Sequence, residues 1–116
     1  NGGSGAGFAQ EAFSGQWERS PYADAYLGRL AQALVTSMQL GRGQRPELLA
    51  ISFSTPDLVG HKFGPDSHEV RDVYAHLDRT LGNLLDHLDR TVGRDAYVLA
   101  LSSDHGVTRI PQQAPG

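Results

Sequence analysis

From Ser67 to about Thr91 the apolar residues Val70, Val73, Tyr74, Leu77, Leu81, Leu84, Leu85, Leu88 and Val92 return at steps of three and four. No strand has that period. It predicts one amphipathic helix over 67–92, of about seven turns, with an apolar stripe that something must cover. Asp66 or Ser67 can accept hydrogen bonds from its first free amides, Glu69 stands in the positively polarised first turn, and Gly93 is placed to end it in the left-handed conformation. His68, His76 and His87 fall among charged residues and are expected on the solvated face. Asp72, Asp78, Asp86 and Asp89, alternating with Arg71, Arg79 and Arg90, read as surface charge pairing.

An apolar run flanks this helix on each side: "LLAISFS" before it and "AYVLALSS" after it. Continuous apolar runs of strand length suit strands covered on both faces, as in a parallel sheet, so strands are predicted over 48–54 and 96–102. Strand, long helix and strand make a βαβ unit, whose crossover is right-handed and whose strands are parallel. The fold class expected is therefore α/β. A further helix is predicted over 21–40, where Tyr22, Tyr26, Leu27, Leu30, Leu34 and Met38 keep helical spacing, Ser20 suits the N-cap and Pro21 the first helical position. It should end near Gly41 or Gly43. Residues 1–20 form a Gly/Ser-rich leading segment, expected to be a loop lightly pinned by Phe8, Phe13 and Trp17 and to hold no catalytic residue.

Each run ends in an Asp and a His. The first gives "PDLVGHKFGP", with Asp57 and His61 four residues apart, and the second gives "SSDHGV", with Asp104 and His105 adjacent. In an open α/β sheet the carboxyl ends of neighbouring parallel strands are where ligands bind. Carboxylate oxygen and neutral imidazole nitrogen are suitable ligands for zinc and related divalent ions, so the four side chains could hold one ion or half-fill two. Gly106 leaves backbone room beside them. Two ions roughly 4 Å apart would suit phosphoryl transfer, because they stabilise both attacking and leaving oxygens. Ser54 and Thr55 read as strand-end hydroxyls with no base beside them, and Lys62 as an exposed loop lysine.

Composition removes other classes. There is no cysteine, which excludes disulfides, thiolate metal sites and a cysteine nucleophile. With 10 Lys and Arg against 13 Asp and Glu, and no basic run, the formal charge of -3 gives no footprint for a nucleic-acid polymer. The apolar runs are about half the length of a membrane span, so no membrane segment is expected.

At these residues the chain resembles the alkaline phosphatase superfamily, in its type I phosphodiesterase/nucleotide pyrophosphatase-like branch. The likeness runs from "SPYADAYLGRLAQALVTSMQLG" through "PDLVGHKFGPDSHEVRDVYAHLDRTLGNLLDHLDRTVG" to "YVLALSSDHGV", most of residues 20–107, with both Asp/His motifs in family order. The resemblance implies a three-layer α/β/α fold, of which 21–116 would be a central piece carrying two half metal sites. It implies two zinc ions, with Asp57 and His61 as two ligands of one and Asp104 and His105 as two ligands of the other. In the family a Thr or Ser nucleophile and an Asp ligand lie upstream, and a last His ligand downstream, on segments without a counterpart here. The chain is accordingly read as a fragment with an incomplete ligand set and no catalytic nucleophile, inactive alone and marginally stable or self-associating. The parent is expected to be a metal-dependent phosphoester hydrolase acting on small phosphoesters, periplasmic or secreted. A phosphomutase or sulfatase is the alternative within the superfamily, and a noncatalytic metal-binding or interaction module the alternative outside it.

Overall fold

A computed structural model of the chain describes Trp17, residues 20–109 and Pro111. Apart from Trp17 and Ser20, the leading segment 1–20 lies outside the described residues. Trp17 meets Tyr26 edge to face, with ring centroids 6.5 Å apart.

Helix α1 spans Pro21–Ser37, with proline in its first turn, where the missing amide hydrogen costs nothing. It ends short of residue 40, and the chain then turns through positive backbone angles at Gln39 and Gly41. Ser20 occupies the N-cap position without capping, since its hydroxyl donates instead to the Trp17 carbonyl at 2.7 Å. Helix α2 spans Thr55–Phe63, and helix α3 spans His68–Leu88 and continues into a π-helical turn over Asp89–Gly93. Ser67 caps α3 by accepting from the Val70 amide at 3.2 Å, and Gly93 takes a φ of 110°, which a side chain would resist. Both ends of the long helix thus follow its sequence signals.

The long helix is the platform for the other two. Val70 and Val73 on α3 form a buried cluster with Val59 of α2, and Phe63 packs against it. Along α1 the buried positions are Asp24, Gly28, Ala31 and Val35, while Tyr22, Tyr26, Leu30 and Met38 stay exposed. The large-residue stripe is therefore not the face that meets α3. Gly28 explains the choice: a Cβ there would lie 2.5 Å from Thr80 Cγ2, so the helices approach along a line of small residues. His87 also departs from expectation. It is half-buried, and its Nε2 lies 2.9 Å from the Thr36 hydroxyl of α1. On α3 itself the Arg/Asp side-chain pairing expected of its surface is not formed among the described residues, where instead His76 Nε2 stands 3.6 Å from Asp72 Oδ1.

The strands are the main correction. Among the described residues there is no strand, so the segments 48–54 and 96–102 do not make a βαβ unit and the α/β, three-layer reading fails for this structure. The physical reason lies in what a strand requires. A helix satisfies its amides and carbonyls within its own segment, whereas a strand needs a partner in register on at least one edge. The two runs do not pair with each other, and several of their apolar side chains remain in solvent while Ile51 and Phe53 are only partly covered: Leu48 is 92% exposed, Val98 96% and Leu101 75%. Continuous apolar composition signals burial by something, and the described residues supply only part of it.

Candidate metal centre

The segment "TPDLVGHKF", expected to be a loop, is a helix. Pro56 falls in the first turn, Asp57 faces the positively polarised amino end, and His61 and Lys62 occupy the last turn. Gly64 stops it with a φ of 88°, its amide returning to the Gly60 carbonyl at 2.9 Å. Asp57 and His61 are one helical turn apart, and Asp57 Oδ1 lies 3.0 Å from His61 Nε2. The two side chains share a face because the helix makes them do so.

The second motif reaches the same point from irregular chain. His105 Nε2 lies 3.2 Å from the same Asp57 Oδ1, and the two imidazole rings are 5.6 Å apart between centroids. Two contacts hold this segment against α2 and the following loop. Val107 packs on Gly60, where a Cβ would meet Val107 Cγ2 at 3.0 Å, and the Arg109 guanidinium donates to Asp66 Oδ2 at 2.7 Å. His105 Nδ1 lies 2.9 Å from the Gly106 carbonyl. A carbonyl can only accept, so Nδ1 carries the hydrogen and Nε2 is the nitrogen aimed at Asp57.

Asp57, His61 and His105 thus offer one carboxylate oxygen and two imidazole nitrogens, all within 4.8 Å of one another. Asp104 stands beside this group and outside it. Its Oδ1 accepts from the His105 amide at 3.0 Å, its Oδ2 lies 3.6 Å from His105 Nε2, and its side chain is 87% exposed. Asp57 Oδ1 is shielded from solvent and has no hydrogen-bond partner, although two imidazole nitrogens flank it. An anionic oxygen within 3.2 Å of two imidazole nitrogens favours a cation among them. A proton is one such cation: the hydrogen bond to Gly106 and then the charge of Asp104 raise the His105 pKa, burial opposes them, and the charge of Asp57 adds the least. A divalent ion is the other, and one carboxylate with two imidazoles fits zinc, which in catalytic sites takes three protein ligands and keeps a position open.

Residues 6–115 match the family of type I phosphodiesterases and nucleotide pyrophosphatases. The chain belongs to that family. It is 38% identical over 91 residues to the alkaline phosphatase PhoV of Synechococcus elongatus, covering 78% of this chain and 16% of that protein. It is 36% identical over 96 residues to the alkaline phosphatase PafA of Elizabethkingia meningoseptica, covering 83% and 18%. Mouse ectonucleotide pyrophosphatase/phosphodiesterase family member 7 is 40% identical over 67 residues, covering 58% and 15%. The chain therefore spans about a sixth of the length of the curated relatives it matches. No solved structure gives a significant match.

Two further features of this type I phosphodiesterase-family chain bear on the site. A groove of about 1050 Å³ opens beside it, lined by Ile51, Phe53, Leu77 and Leu101 together with Asp57 and His105. Asp24 of α1 is only 5% exposed and accepts hydrogen bonds from the Thr55 amide and hydroxyl at the start of α2. Burial raises its pKa above the usual carboxylate range, and those hydrogen bonds offset only part of the rise. Sequence reasoning passed over Asp24 because an aspartate in a helix's first turn is ordinary. The available signal was its place in the 24, 28, 31, 35 series, the helical row of small residues.

Proposed function

We propose that the polypeptide carrying this chain hydrolyses phosphoesters with two zinc ions, Asp57 and His61 serving one and Asp104 and His105 the other. The observation that carries the reading is the shielded, unpartnered Asp57 Oδ1 flanked by two imidazole nitrogens. Zinc, when bound, would stabilise the attacking and leaving oxygens at phosphorus and lower the pKa of a coordinated hydroxyl or water. The side chains do the placing. Helix α2 fixes Asp57 and His61 in one turn, and the Gly106 carbonyl holds His105 in the tautomer whose Nε2 is free to ligate. Asp104, largely in solvent with its Oδ2 3.6 Å from His105 Nε2, would join His105 on the second ion.

The nucleophile is a Thr or Ser from outside these 116 residues. Thr55, the hydroxyl nearest Asp57 in sequence, is 1% exposed and bonded into the α1–α2 joint, which keeps it from a phosphorus atom. Small mono- or diesters of phosphate are the substrates, and the family's alkaline phosphatases and nucleotide pyrophosphatases bracket that range.

Zinc titration of the chelator-treated chain tests this reading. Binding should be specific and should be lost in Asp57→Ala and in His105→Ala; equal binding by either variant overturns it. Zinc requires neutral imidazole, and the raised His105 pKa lets protons compete to higher pH than at an ordinary histidine. Affinity should accordingly climb from about pH 6 to about pH 8, across the imidazole range. A longer polypeptide including the nucleophile should cleave p-nitrophenyl phosphate or its bis ester, and should lose that activity with Asp104→Ala.

A further inference from the structure

Helix α2 carries two of the candidate ligands, and α1 makes few contacts with it. What joins them is polar. Thr55 opens α2, is 1% exposed, and has its hydroxyl 3.3 Å from the Ser20 carbonyl just before α1. The same residue gives its amide to the Asp24 carboxylate, one turn into α1, and its hydroxyl hydrogen is shared between that carboxylate and the Ser20 carbonyl. Ser54, the residue in the N-cap position of α2, supplies no side-chain cap. The first free amide of α2, which an N-cap side chain does not reach, is therefore bound by a carboxylate from another helix.

We propose that Asp24 is a positioning residue for the metal centre: it caps α2 from α1 and so fixes the direction in which that helix presents Asp57 and His61. This rests on the proposed metal reading. Three observations make the role more than packing. Asp24 is a nearly buried carboxylate on a face otherwise made of Gly28, Ala31 and Val35, where a small apolar residue would pack at no desolvation cost. Its Oδ2 is shielded and without a hydrogen-bond partner, so the group is held at that position despite an unmet bond. Its partner Thr55 stands two residues before Asp57, so a loosened first turn moves a ligand directly.

The test uses Co²⁺ as the probe, read by its visible ligand-field bands, on the 116-residue chain and three variants. Asp24→Ala should weaken Co²⁺ binding by about tenfold or more, the usual scale for groups that support a ligand rather than bind the metal. Asp24→Asn, which keeps an oxygen to accept from the Thr55 amide, should recover most of the affinity. Val35→Ala, a cavity on the same face of α1 that leaves Thr55 alone, should lower stability while the folded fraction binds Co²⁺ as before. Asp24→Ala behaving like Val35→Ala, or Asp24→Asn failing as Asp24→Ala does, overturns the proposal. Should the unaltered chain bind no Co²⁺, the metal reading fails, and amide exchange decides this one by itself. Exchange at Thr55 should then rise in Asp24→Ala and stay near the starting value in Val35→Ala, and equal exchange in both overturns the cap.

Discussion

The three helices and the two apolar runs obey the same hydrophobic logic with opposite results. Ala31, Val35, Val59, Val70, Val73 and Leu84 are buried where helices meet, whereas Leu48, Val98, Leu99 and Leu101, no less apolar, face solvent. The difference lies in where each element finds its hydrogen bonds. A helix is closed within its own segment and can dock with whatever face fits, while an apolar run without a neighbour in register has neither ladder nor cover. The candidate metal centre sits on the seam between the two kinds of chain: Asp57 and His61 belong to a helix, and Asp104 and His105 to the end of a run. One half of the site is held by its own helix, and the other half by Val107 on Gly60 and Arg109 on Asp66.

Substitutions can break that contrast in order of size. Leu84→Ala, emptying a position only 4% exposed on α3, should cost about 3 kcal/mol, read as a lower urea midpoint with an unchanged slope. Ser67→Ala, which removes the acceptor for the Val70 amide, should cost about 1 kcal/mol in the same assay. Leu48→Ser and Val98→Thr, on the exposed runs, should move stability by no more than about 0.5 kcal/mol. A large loss from either of the last two would mean that the runs are buried in solution, and the comparison between regions would collapse. A small loss from Leu84→Ala would break it from the other side.

Much of the helical half is legible from the residues alone. The spacing from Val70 to Leu88, the Ser67 cap and the Gly93 stop all act as read, because each is a local device whose partners lie within a turn. Helix α2 escaped notice because two prolines and two glycines in "PDLVGHKFGP" suggest a loop. Pro56 in the first turn and Asp57 with His61 one turn apart were the signals that pointed the other way. On α1 the large residues mark the face turned away from α3, since close approach to Thr80 selects small ones. The strands fail for a different reason: composition reports that a run should be covered, and carries no information about which segment covers it. The four candidate ligands stood out as pairs. That His105 comes to Asp57 and His61, leaving Asp104 at the margin, depends on contacts between segments more than forty residues apart, and no spacing encodes them.

Gly60 puts two selective pressures into direct opposition. In the interior of a helix alanine is favoured over glycine by about 1 kcal/mol, so a screen for heat resistance should enrich Gly60→Ala. The added methyl would meet Val107 at 3.0 Å and push that segment back by a few tenths of an ångström, carrying His105 away from Asp57. A screen for zinc retention should reject the same change. In an evolving lineage this position would therefore record which demand prevailed: alanine where the fold was under strain and the metal dispensable, glycine where the metal had to stay.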